Sequence, residues 1–178
     1  MSRRTWVLSV LGVIVLVGGY LAWEVFEFQT LFIDDKVDEA RPAFATDTPA
    51  TTAEPESGET TPSDAPVPGT VATGNFIDRS HPTSGTALVL ADDQGRRVLR
   101  FEGFETDNGP DLNVYLAAAP AEADAGDFDD DFVDLGDLKG NIGDQNYEIP
   151  DDVDLERYRT VVVWCVRFSV AFGAASIA

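Results

Sequence analysis

From residue 71 to the C-terminus the apolar positions come in short runs broken by Asp, Gly and Asn, and nowhere do they take up a helical period. Residues 86–91 form one such run, closed by Asp92-Asp93-Gln94-Gly95, a turn that leads into a second run at 96–101. A third, 112–118, follows the turn Asn108-Gly109-Pro110. Runs at 132–135, 146–149 and 159–172 complete the set, and 74–78 offers an opening strand. Residues 154–158 suffice for one helical turn at most. Six or seven short strands joined by tight turns predict an all-β domain, an antiparallel β-sandwich or small barrel.

The stretch 159–172 reads as a central strand because β-branched and aromatic residues dominate it. With a period of two, Val162, Trp164, Val166, Phe168, Val170 and Phe172 share one face. That face is wholly apolar and is expected to form the core. Val161, Val163, Cys165, Arg167 and Ser169 share the other, which sets a guanidinium beside the chain's only thiol. Cys165 is then either a small buried hydrophobe or a thiol activated by Arg167, with Arg157 and Arg159 at the strand entrance.

The N-terminal third has a different pattern. Residues 6–23 carry no charge and, as a helix, span roughly 27 Å, enough for a bilayer core. Trp6 lies at one end, Tyr20 and Trp23 at the other, like interfacial anchors. Arg3 and Arg4 precede the run, and Glu24, Glu27, Asp34 and Asp35 follow it. The positive-inside rule therefore puts residues 1–5 in the cytoplasm and the rest outside the cell membrane, single-pass. Bulky Tyr20, Trp23 and Phe26 stand where a cleaved signal peptide needs small residues, so an uncleaved anchor is expected. Residues 24–41 read as a juxtamembrane segment that could continue the helix. Residues 42–70, rich in Thr, Pro, Ala and Glu, read as a disordered stalk with a reach of roughly 30 Å. The β domain is then 71–178.

Charge narrows the partners. The net charge is −20, with Lys36 and Lys139 the only lysines. Such a surface repels nucleic acid and suits a host living in high salt. One cysteine excludes an intramolecular disulfide, while leaving open a homodimer through Cys165.

Asn146-Tyr-Glu-Ile-Pro-Asp-Asp-Val-Asp-Leu, Tyr158, and Val161-Val-Val-Trp-Cys-Val-Arg-Phe-Ser-Val-Ala-Phe-Gly-Ala-Ala resemble the DM-thirteen domain family. So do Gly74-Asn-Phe with His81 and Ser84-Gly-Thr-Ala, and Phe101-Glu-Gly-Phe with Asn108-Gly-Pro-Asp-Leu-Asn-Val-Tyr-Leu. The resemblance covers about residues 72–178. It implies an electron-transfer role through a single cysteine, which makes Cys165 the redox candidate, supported by Arg167 and Trp164. The turn Asp107-Asn108-Gly109-Pro110-Asp111 reads most simply as a turn with side-chain caps, and the resemblance makes it, with Asp111, a candidate rim of a binding surface.

The cofactor set is restricted by what the chain lacks. Covalent haem needs Cys-x-x-Cys-His, which is absent. With His81 the only histidine and Met1 the only methionine, one chain cannot build a blue-copper or bis-His haem site. Iron–sulfur clusters need more thiolates. Electrons would thus pass through the thiol itself, an external cofactor or a site shared with a partner. His81, set among Ser80, Pro82, Thr83 and Ser84, reads as a turn residue, with a Cys165–His81 pair as the alternative. Asp127, Asp129 and Asp131 begin like a calcium loop, but Phe132 stands where its glycine belongs, so a solvated acidic loop is expected. No catalytic motif is present. Two functions remain: a membrane-anchored extracytoplasmic redox module, or a non-enzymatic interaction module that meets an extracytoplasmic protein and has a structural cysteine. A calcium-dependent adhesion domain is the weakest reading.

Overall fold

The computed structural model describes residues 12–13, 15–18, 20, 34–44 and 69–178. Most of the apolar run 6–23, the interior of the 42–70 segment and most of 24–41 lie outside the described residues. The described residues of the apolar run are helical, and among the described residues no helix is long and apolar enough to cross a membrane.

Among the described residues ten strands pair into two sheets. They are β1 (Lys36–Asp38), β2 (Gly69–Asn75), β3 (Ile77–Asp78), β4 (Thr83–Ala91), β5 (Arg97–Thr106), β6 (Leu112–Ala117), β7 (Phe132–Asp137), β8 (Ile142–Ile149), β9 (Thr160–Cys165) and β10 (Val170–Ser176). Sheet A has the order β1-β8-β5-β4-β2 and sheet B the order β3-β10-β9-β6-β7. All pairs are antiparallel except β1 on β8. The result is the sandwich of the two expected all-β forms, with more strands than six or seven.

Three of the additional strands come from weak sequence signals. β1 has three residues and lies in the supposed juxtamembrane segment. It docks because the facing backbone is bare: a Cβ at Gly143, where φ is +107°, would sit 1.9 Å from the Val37 carbonyl oxygen. β3 has two residues. The last is a correction to the long strand at 159–172. That stretch breaks at 166–169 into a turn whose Ser169 takes φ 52°, and the chain returns as β10.

The face assignment is corrected as well. Val161, Val163 and Cys165 point between the sheets, with Leu99, Phe101, Tyr147 and Phe172. Val162 and Trp164 point outward into a second apolar layer with Tyr115, Ala121, Phe128 and Ala171. Val166 and Phe168, expected in the core, are exposed. Alternation could not choose the face because every residue of β9 is buried. The outer layer is supplied by residues 118–131, pinned where Arg79 donates to the Ala123 carbonyl and lies over the Phe128 ring.

The outer face of sheet A is polar and covered differently. Arg100, only 4% exposed, donates to Glu102 at 2.7 Å, Asp144 at 2.6 Å, Asn146 at 3.1 Å and the Glu39 carbonyl at 3.0 Å. Residues 39–41 thus roof a guanidinium whose charge is compensated on every side.

Candidate functional site

Cys165 ends β9 and is fully buried. Its thiol donates to the Pro110 carbonyl at 3.1 Å. Pro110 sits in the 107–111 loop before β6, and the next residue, Asp111, takes the left-handed φ of 68°, a conformation costly for a residue with a Cβ. That twist turns the Asp111 carbonyl onto the Val166 N–H at 3.0 Å. Loop and turn therefore clasp each other around the sulfur.

The surroundings keep the proton on. Burial pushes the Cys165 thiol above its ordinary range, the N–H groups of Phe168 and Arg167 pull the other way, and Asp111 adds to the rise. The Arg167 charge lowers it, but as the smallest of these effects, and the thiol stays protonated at neutral pH. Arg167 does not share the strand face of Cys165 as expected. It lies exposed in the turn.

Over the clasp opens a cleft of about 400 Å³, lined by Asp35, Asn108, Pro110, Asp111, Asn141 and Arg167 among others. A second cleft of about 380 Å³ shares Asn108 and Asn141 and adds Asp34, His81 and Asp107. Asn141, 3% exposed, organises both. Its amide donates to the Thr106 carbonyl at 2.9 Å and to Asp34 at 3.1 Å, and its side-chain oxygen accepts from the Asp35 N–H at 2.8 Å. The loop before it is fixed by buried Gln145, which bonds both backbone groups of Gly140 and the Tyr147 hydroxyl. Sequence reasoning passed over Asn141 and Asp35 and took Pro110 only as part of the 107–111 turn. The two glycines at Gly140 and Gly143 around Asn141 were the available signal of close backbone approach.

His81 reaches the same end of the sandwich but pairs with Asp107, its Nδ1 3.0 Å from the carboxylate, and not with the thiol. Its ring stacks on Phe172, centroids 3.7 Å apart. Phe172 is the bulged residue of β10, where pairing steps from Ala171 to Gly173. Gly109 lies close to the same ring: a Cβ there would come within 2.6 Å of Phe172 Cζ. His81 and the Gly109 backbone thus both abut Phe172, which packs in the same core cluster as Cys165.

The remaining candidates lie elsewhere. Trp164 is buried, as expected, but in the outer layer. Asp131 is committed to Arg157 at 2.6 Å and to the Tyr158 hydroxyl at 3.0 Å. Asp127 closes a 3₁₀ turn, Ala125–Asp127, and among the described residues no three acidic, His or Cys side chains gather to hold a metal. A homodimer through Cys165 would require the 107–111 loop to leave the sulfur.

No curated protein and no solved structure matches the chain. The profile of the family described as Electron transfer DM13 matches residues 75–177. The match takes in the loop, the turn, Cys165 and His81, and leaves β1 outside it. The chain belongs to the Electron transfer DM13 family.

Proposed function

We propose that this chain is a membrane-anchored extracytoplasmic electron-transfer module whose redox centre is the Cys165 thiol, gated by the 107–111 loop. The observation that carries the reading is the hydrogen bond from Cys165 to Pro110. It sets the sulfur one backbone layer beneath a cleft wide enough for a partner's side chains. The family's description as an electron-transfer domain supports the activity, and the uncharged run at 6–23 supports the anchor.

The clasp defines what must happen for the thiol to react. Oxidation must release the S–H proton as well as an electron, and the Pro110 carbonyl is no base. The proton passes to water once the loop is displaced; the thiolate then gives one electron to the oxidised partner, which is reduced as the sulfur becomes a thiyl radical. Displacing the loop admits water, relieves the desolvation that holds the proton, and brings the thiolate into reach. The acceptor is a partner from outside the chain, docked in the cleft.

Native-state alkylation of the full chain tests this. A labelling rate that stays flat as denaturant is first added reports local opening of the loop and supports the gate. A rate that follows global unfolding throughout overturns it. That outcome leaves the second reading, an interaction module with a structural cysteine, which the complete burial of Cys165 favours.

A further inference from the structure

The chain enters the domain at the cleft. Asp34 and Asp35 line the two clefts, and β1 then runs parallel to β8, away from Asn141 and toward the opposite end. There Phe44 lies against Arg96, beside the Asp92–Arg96 turn. β2 also starts at that far end, with Gly69 opposite Ala91, and Arg41 donates to Thr70 at 3.2 Å. The stretch expected to be a stalk therefore leaves and re-enters the domain at one end, remote from the cleft. It cannot act as a spacer between domain and membrane.

Only residues 24–33 separate the apolar run from the cleft, a reach of about 35 Å if fully extended. The sandwich itself is about 33 Å long, from the ten residues of β5. A tether attached at the cleft end keeps that end within about 35 Å of the bilayer, nearer than the opposite end unless the domain turns over.

The same end carries an apolar knuckle. Val166 is 42% and Phe168 63% exposed, adjacent on the turn that buries Cys165, with Arg167 between them. An aromatic and an aliphatic residue flanking a long cationic side chain match the boundary between lipid headgroups and acyl chains. The geometry points to the turn at 166–169 as the part of the domain that rests on the lipid surface of the membrane holding residues 6–23. The redox partner of Cys165 is then one held in that membrane, not one arriving from bulk solution. This rests on the anchored reading above. The acids Asp35, Asp111 and Asp137 behind the turn make a neutral surface the favoured one.

The test uses the full chain in phosphatidylcholine vesicles, with Cys165→Ala and a nitroxide on either Phe168→Cys or Gln94→Cys. The label at 168 is expected to show a several-fold higher ratio of oxygen to nickel-chelate accessibility than the label at 94. Hydrogen exchange of the unsubstituted chain gives the same answer without variants: amides 166–169 gain protection on vesicles and 93–95 do not. Equal, water-like accessibility at both labels, in protein that stays with the vesicles through an alkaline wash, overturns the orientation alone. Loss of the protein in that wash overturns the anchor and this inference with it.

Discussion

Glu39 and Lys139, a hundred positions apart in the chain, meet at 2.8 Å. The same carboxylate accepts from the Asn146 N–H at 2.7 Å. Burial raises the Glu39 carboxyl, but the hydrogen bonds from Lys139 and Asn146 outweigh it and leave it below the usual glutamate range. A depressed value means that the contribution is present above the ordinary glutamate value of about 4.3 and is lost as pH falls through the lower folded value. Acid should therefore loosen residues 34–41 before the sandwich unfolds. Glu39→Gln should remove that acid sensitivity at a cost of about 1 kcal/mol or less, the side chain being 34% exposed. Amide exchange at Ile142, whose N–H donates to the Asp35 carbonyl at 3.3 Å, checks it across a pH series; an identical profile in both proteins refutes it.

Gly143→Ala attacks the same docking sterically. The added Cβ meets the Val37 carbonyl oxygen, and φ at +107° is costly for alanine. We expect β1 to detach, the Ile142 N–H to lose its bond to Asp35, and stability to fall by about 1–3 kcal/mol. Gly126→Ala, where a Cβ meets open space, is the control in urea unfolding. Equal midpoints for the two variants would show that β1 contributes nothing.

Trp164→Ala should cost about 3–5 kcal/mol although Trp164 lies outside the intersheet core, because residues 118–131 seal it. Phe128→Ala, across the same layer and fully buried, should fall in the same range. Chemical denaturation of both variants is the measurement. A loss under about 1 kcal/mol in either would mean that this layer opens independently of the sandwich.

The raised Cys165 thiol carries its own pH signature. A folded value above the unfolded one gives stability that is complete below the thiol's ordinary value of about 8.5 and declines as pH rises toward the folded value. The unfolding free energy should therefore fall between about pH 8.5 and 10, before the tyrosines contribute. Cys165→Ala should flatten that interval. An unchanged slope would mean that the sulfur is not desolvated in the native state.

Turn chemistry made much of this fold readable. Asp92-Asp93-Gln94-Gly95 specifies the β4–β5 hairpin through the Asp92 side chain, which accepts from the N–H groups of Gln94 at 2.9 Å and Arg96 at 2.8 Å. Period-two alternation failed at β9 because a second apolar layer equalises its two faces, and nothing local announces that layer. The turn at 166–169 was hidden because Val166 and Phe168 extend the apolar run while facing solvent. At the site, the lone cysteine was the residue legible in the sequence. Its true neighbour, a carbonyl oxygen, has no side-chain signature in a sequence. Asn141 escaped notice for a related reason: its three partners lie on segments far apart along the chain.

The short β1 has one more consequence, for what happens when copies of the domain meet at high concentration. An open sheet normally ends in a row of unpaired amides that can template another chain. Here the outer side of β8 is taken by three residues of which Lys36 and Asp38 are charged and exposed. At the opposite margin Thr73 and Ala178 exchange N–H to carbonyl bonds at 3.2 and 3.1 Å, so the C-terminal residues close off β2. In sheet B, β3 is two residues long, and β7 is interrupted by Gly136 at φ +102° between Asp134 and Asp137. None of the four margins among the described residues offers a long, flat, uncharged ladder. Strand addition along these margins is therefore disfavoured, which keeps copies of the domain from joining edge to edge.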